Sequence, residues 1–179
     1  FRGGAAHERF IDCVDDIQGA VNFARRQGAR NIFLAGHSTG CQKSTYWAAK
    51  KGRGVQGIIL LAPMSDYAVA LRDDKNGKLA RATRVARALI RAGKPHELLS
   101  QSVWPAIDDA QRFLSLYTPD SIEEMFTYAQ PHENPRIYKA VTLPILAIFA
   151  GDDEFADRPA REIAAWFELD GPVGWIMGD

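Results

Sequence analysis

The stretch that most constrains this chain is Gly36-His37-Ser38-Thr39-Gly40, set between an apolar run and a helix-forming run. Asn31-Ile32-Phe33-Leu34-Ala35 precedes it, and residues 41–50 follow with helical patterning. A strand that enters a helix through G-x-S-x-G must reverse direction almost at the serine itself. That forces the serine into a strained backbone conformation, and glycine on either side lets strand and helix pass closely. The hydroxyl is then lifted above the carboxyl edge of a sheet, where the start of the helix favours developing negative charge. Ser38 is therefore the first candidate nucleophile, and Thr39 just after it offers a backbone N–H to an oxyanion. The plainer alternative is a Ser-Thr pair that only caps a helix. His37 lies inside the motif, but adjacent side chains around such a turn diverge. It is expected to pack beside the turn rather than to serve as a base.

The 179 residues suffice for one sizeable core, and 46% hydrophobic with 25% charged residues is an ordinary globular balance. Acidic and basic residues are equal at 22 each, so the chain has no electrostatic footprint for nucleic acid or an anionic membrane. The longest apolar runs, residues 57–62 and 143–150, are of strand length and far too short to span a bilayer. Cys13 and Cys41 suit a reducing cytoplasm or plain core packing better than a disulfide scaffold, and neither has a partner at metal-ligand spacing. No metal and no organic cofactor is expected. The composition is silent on oligomeric state.

Along the chain, residues 10–27 carry Phe10, Val14, Ile17, Val21 and Ala24 at helical spacing, with Gly28 behind them. Residues 31–35 read as a buried strand, 39–50 as the next helix, and 55–62 as a second strand stopped by Pro63. Such short apolar runs separated by helices predict an α/β fold with a parallel sheet covered on both faces. The rhythm breaks from residue 65 to about 139, where only helical patterns and prolines occur. Helices are expected at residues 79–92, 108–117 and 121–129. The first carries Arg81, Arg84, Arg87 and Arg91 at about one-turn spacing, a solvated face or, less simply, an anion site. Residues 143–150 restore a strand, 158–167 a helix, and 174–177 the start of a last strand. The organisation predicted is a core at 1–65, a helical cap at 66–139 that would stand over a catalytic edge, and the core again at 140–179.

A serine hydroxyl needs a base, and in a Ser-His-Asp arrangement a carboxylate orients that base. Gly151-Asp152-Asp153-Glu154 follows the 143–150 strand, where an acid would be expected. Asp153 is the chosen acid, three residues before Ala156, with Asp152 and Glu154 as competitors. Three acids that merely solvate a turn and cap the next helix are the plain alternative. The four histidines, His7, His37, His96 and His132, all precede Asp153. His132 is the least implausible substitute base. The simpler expectation is an internal fragment whose histidine lies beyond Asp179, after the strand that begins at Gly174. Upstream strands carrying the second oxyanion donor would likewise be absent, which leaves the strand before the turn with an open, aggregation-prone edge.

Taken together, these segments resemble the central part of an α/β-hydrolase-fold serine hydrolase. Gly36-His37-Ser38-Thr39-Gly40-Cys41-Gln42 is similar to the nucleophile elbow of a subfamily that includes fungal siderophore ester hydrolases. Leu61-Ala62-Pro63-Met64-Ser65-Asp66, Gln111-Arg112-Phe113-Leu114-Ser115-Leu116 and Asp153-Glu154-Phe155 resemble it as well, so the likeness runs over residues 10–167. The resemblance implies a serine hydrolase of an ester or related acyl bond: Ser38 attacks, Asp153 orients a histidine, and Thr39 N–H holds the oxyanion. The implied partner is a small-molecule ester. Two other readings stay open: an acyltransferase or thioesterase using the same acyl-enzyme, and a non-catalytic relative acting as a binding or scaffold module.

Overall fold

Short apolar runs joined by helices pair in parallel, because each crossover returns the chain to the same edge of the sheet. The computed structural model of the chain, which describes residues 5–130, 132–153, 155–170 and 173–178, has this arrangement. In chain order the elements are α1 (Cys13–Arg26), β1 (Phe33–His37), α2 (Thr39–Lys50), β2 (Gly57–Leu61), α3 (Asp66–Asp73), α4 (Lys78–Arg91), α5 (Ala110–Tyr117), α6 (Arg136–Lys139), β3 (Ile145–Ala150), α7 (Ala160–Asp170) and β4 (Val173–Gly178). Single 3₁₀ turns stand at Ala5–His7, Phe10–Asp12 and Thr127–Ala129. The four strands form one parallel sheet in the order β1-β2-β3-β4, with Phe33 opposite Gly57, Ile58 opposite Ile145, and Ile145 opposite Val173. The α/β class and the flanked parallel sheet expected from the sequence are what the chain adopts.

The chain divides into two units. One comprises the described residues of Ile11–Ser65 and Met125–Asp179 and contains the sheet. Its core is built on Ile58, Leu60, Ala147 and Phe149 of the strands with Cys41 and Trp47 of α2, all at most 3% exposed. Each fully buried aliphatic side chain of this kind contributes on the order of 2 kcal/mol. A ring cluster of Phe126, Tyr138, Trp166 and Phe167 extends that core, with centroids 5.0 to 6.5 Å apart.

The other unit comprises the described residues of Phe1–Phe10 and Asp66–Glu124 and is helical. Leu79, Ala82 and Ala86 share one face of α4, and the two alanines are fully buried in a cluster with Phe113 of α5. Small side chains at that spacing let the two helix backbones approach closely. Arg81, Arg84, Arg87 and Arg91 fall on exposed positions, where Arg87 meets Asp120 at 3.2 Å and Arg81 donates to the Ser102 carbonyl. The arginine stripe is the solvated face of the plain reading.

Several boundaries depart from expectation for identifiable reasons. Residues 10–12 are a 3₁₀ turn, so the first α-helix starts at Cys13. β1 runs to His37 rather than ending at residue 35, which brings the strand directly to Ser38. It is not a buried strand: it pairs with β2 alone among the described residues, and Phe33 is 59% exposed. β3 begins at Ile145 because Pro144 has no N–H for the ladder, although its carbonyl accepts from Ile58 N at 3.0 Å. The helix expected over 121–129 is absent apart from the 3₁₀ turn at its end. Ser121 Oγ donates to the Ser115 carbonyl and accepts from Glu124 N, and side-chain bonds of this type compete with helix formation. Two short helices, α3 and α6, were not anticipated.

Candidate active site

Ser38 is the single residue between β1 and α2, with φ 53° and ψ −130°. A positive φ on a residue with a Cβ is strained. Among the described residues only Ala62, at φ 50°, shares it without being glycine. The turn is held by Ser38 N donating to the Leu61 carbonyl at 3.4 Å and Cys41 N donating to the Ser38 carbonyl at 2.8 Å. Cys41 Sγ lies 3.3 Å from the carbonyl oxygens of both Gly36 and Leu61, so this buried thiol ties α2 to the ends of two strands. The Ser38 side chain is left exposed.

The two glycines of the motif do different things. A Cβ on Gly36 would press into the Gly40 carbonyl and come within 2.7 Å of Ser44 Oγ. A Cβ on Gly40 would meet nothing within 4 Å. The close passage expected on both sides of the serine therefore exists only at Gly36, where strand meets helix. His37 is exposed rather than packed beside the turn. Thr39 opens α2, so its N–H has no carbonyl four residues back within the helix and points out of the helix start.

The segment after β2 forms the middle of the same edge. Ala62 N donates to the Ile148 carbonyl at 2.8 Å, Ser65 N donates to Tyr128 Oη at 2.8 Å, and Gln42 Nε2 donates to the Met64 carbonyl at 3.1 Å. Gln42 and Tyr128 thus position this loop, although sequence reading gave neither a role. Gln42, one turn into the helix after the serine, is 2% exposed, a burial that nothing in the sequence signals.

After β3, Asp153 is partly buried and Asp152 exposed, while Glu154 lies outside the described residues. Asp153 Oδ1 accepts from Phe155 N at 2.9 Å and its carbonyl accepts from Ala156 N at 3.1 Å, a tight turn that fixes the carboxylate. Asp153 lines a small recess with Ala62, Met64, Phe149, Ala156 and Ile163. Arg158 backs this loop: it pairs with Asp157 at 2.9 Å, donates to the Tyr128 carbonyl at 3.2 Å and lies 5.0 Å from that ring's centroid.

Because the strands are parallel and ordered β1-β2-β3, Ser38 and the turn carrying Asp153 follow the carboxyl ends of two strands that lie on either side of β2. None of the four histidines hydrogen-bonds to Ser38 or to Asp153 among the described residues. His7 and His96 belong to the helical unit, and His132 is exposed. No helix among the described residues is long and apolar enough to cross a membrane.

A family model described as "Protein of unknown function (DUF1749)" matches residues 8–165. No curated protein sequence matches the chain. Solved structures do. A thermostable carboxyl esterase from Bacillus coagulans is 15% identical with a TM-score of 0.54, the match covering 92% of this chain and 61% of that one. A structure described as an alpha/beta hydrolase fold protein of unknown function is 14% identical with a TM-score of 0.59, covering 92% and 59%. A Paleococcus ferrophilus monoacylglycerol lipase is 16% identical with a TM-score of 0.58, covering 97% and 67%. The chain therefore spans about three fifths to two thirds of the length of these structures. At such identities the likeness establishes the α/β-hydrolase fold.

Proposed function

The chain belongs to the family described as "Protein of unknown function (DUF1749)", and on that fold we propose that it is a serine hydrolase of an ester or related acyl bond. The observation that carries the reading is the backbone of Ser38, strained at φ 53° between a strand and a helix with its side chain exposed. Strain held on an exposed serine at a strand-to-helix turn supports a use for its hydroxyl.

In the proposed reaction Ser38 Oγ attacks the acyl carbonyl while a histidine takes its proton. The tetrahedral oxyanion accepts from Thr39 N–H. Collapse expels the alcohol, which receives the proton from the imidazolium, and water then releases the acid by the same steps. Asp153 holds the imidazole in the working tautomer and offsets its charge. β4 lies beside β3, so a loop leaving its carboxyl end would open on the same edge as Asp153, which supports a histidine base supplied from there. The cap proposed over residues 66–139 would select the substrate.

The test is labelling by a fluorophosphonate, which reacts only with an activated serine. It should be run on protein extended beyond Asp179, with residues 1–179 alone for comparison. Expected is labelling of the extended protein, abolished by Ser38→Ala, and turnover of short-chain aryl esters. Siderophore esters belong in the substrate panel because of the likeness of the elbow. Competition between water and alcohol acceptors separates hydrolase from acyltransferase or thioesterase. An extended, folded protein that neither labels nor turns over esters would reject catalysis and leave a binding or scaffold role.

A further inference from the structure

Three side chains far apart in sequence converge in the helical unit, and the proposed hydrolysis uses none of them. His7 Nδ1 and His96 Nδ1 each lie 2.9 Å from the same atom, Asp109 Oδ2. The three donor atoms all fall within 4.8 Å of one another. His7 closes the 3₁₀ turn Ala5–His7, His96 lies between α4 and α5, and Asp109 is the N-cap of α5. We propose that His7, His96 and Asp109 form a binding site for one divalent transition-metal ion of the zinc class.

The arrangement has the parts such a site needs. Two imidazole nitrogens and one carboxylate oxygen form a donor set suited to zinc, cobalt or nickel rather than to the all-oxygen preferences of magnesium or calcium. The carboxylate is fully buried, and its other oxygen is fixed by Arg112 N at 2.7 Å, so Oδ2 is held toward the histidines. A hydrogen bond that orients a ligand in this way is a regular feature of working metal sites. The backbone around it is also tied down. Asp109 N donates to the Ala6 carbonyl at 2.9 Å, Ala110 N to the Glu97 carbonyl and Gln111 N to the Pro95 carbonyl, both at 3.0 Å. These bonds hold all three ligand-bearing segments in register before any ion arrives.

The imidazoles are 47% and 57% exposed, which gives an ion an entry path and leaves an outer position for water. With bonds of 2.0–2.2 Å in a tetrahedral site, neighbouring ligand atoms sit about 3.3 Å apart. Each observed 2.9 Å separation therefore opens by about 0.4 Å, while the two nitrogens, within 4.8 Å of each other, close by at most about 1.5 Å, movements that two half-exposed rings can supply. An ion bound there ties the segment carrying His7 to the loop between α4 and α5.

Zinc chloride titrated calorimetrically into chelator-stripped protein tests the site, with cobalt absorption as a second readout and magnesium as the hard-cation control. The expected result is one zinc per chain, tetrahedral cobalt bands, no response to magnesium and a zinc-dependent rise in Tm. His7→Ala and His96→Ala should each weaken zinc at least about tenfold and remove the Tm response. His132→Ala should change nothing. Because Asp109 also caps α5, the histidine variants rather than an Asp109 variant decide the matter. Absence of saturable zinc binding by the folded wild-type chain, or binding unchanged in both histidine variants, would overturn the proposal.

Discussion

Gly36 and Gly40 face each other across the serine turn so closely that a Cβ on Gly36 would overlap the Gly40 carbonyl, whereas a Cβ on Gly40 would touch nothing within 4 Å. One glycine of the motif is a steric requirement and the other is not.

Gly36→Ala is therefore expected to destabilise the sheet-bearing unit by about 3 kcal/mol or more, since the neighbour that must yield is backbone. Gly40→Ala, in the first turn of α2, should be neutral or add about 0.5–1 kcal/mol. Urea unfolding of the two variants checks both. Equal costs at the two positions would contradict the one-sided contact.

The positive φ of Ser38 is costly for any residue with a Cβ. Ser38→Gly should raise stability by about 1 kcal/mol while abolishing fluorophosphonate labelling, and Ser38→Ala should abolish labelling without that gain. A loss of stability in Ser38→Gly would show that the serine hydroxyl contributes to folding rather than to chemistry.

Asp153 can be separated from its neighbour by charge alone. Asp153→Asn keeps an oxygen for the Phe155 N–H bond, so the turn should persist. In protein extended beyond Asp179, ester turnover should fall by about 10⁴-fold. Asp152→Asn, at an exposed position, should stay within a few-fold of wild type. The reverse ranking in kcat would move the acid to Asp152.

Within the helical unit, Arg112 and Glu123 pair at 2.6 Å with both side chains 2% exposed, and Arg112 also reaches Glu8 at 3.2 Å. Arg112→Met strands the buried Glu123 carboxylate and is expected to cost about 3–5 kcal/mol, with Arg112→Met/Glu123→Met costing less than the single change. Chemical denaturation of the single and double variants decides. A double variant worse than the single one would show that the pair itself stabilises.

Burial pushes the Asp108 carboxyl above its ordinary range, while the Arg112 guanidinium pulls the other way. An acid with a raised pKa binds more protons folded than unfolded. Its stabilising share is complete below the unfolded value and is lost as pH rises toward the folded one. Asp108→Asn should thus be more stable than wild type at pH 7, and the gain should disappear below about pH 4. Denaturant midpoints at both pH values test the sign, and a variant weaker than wild type at pH 7 would contradict it.

What the sequence determined by itself was the part governed by local pattern. The 39–50 helix was legible to the residue, since α2 starts where the turn must end and Gly52, at φ 54°, follows close behind it. The parallel sheet followed from apolar runs alternating with helices. Local pattern also misled where side chains rebonded: residues 121–129 read as a helix, but Ser121 and Glu123 are taken up by the Ser115 carbonyl and by Arg112. Tertiary structure alone decided that Gly36 and not Gly40 is indispensable, that Gln42 and Tyr128 hold the loop after β2, and that His7 and His96 meet on Asp109. Those facts depend on atoms brought together across as many as 102 positions of sequence. Such distances carry no periodicity, so only packing of the folded chain fixes them.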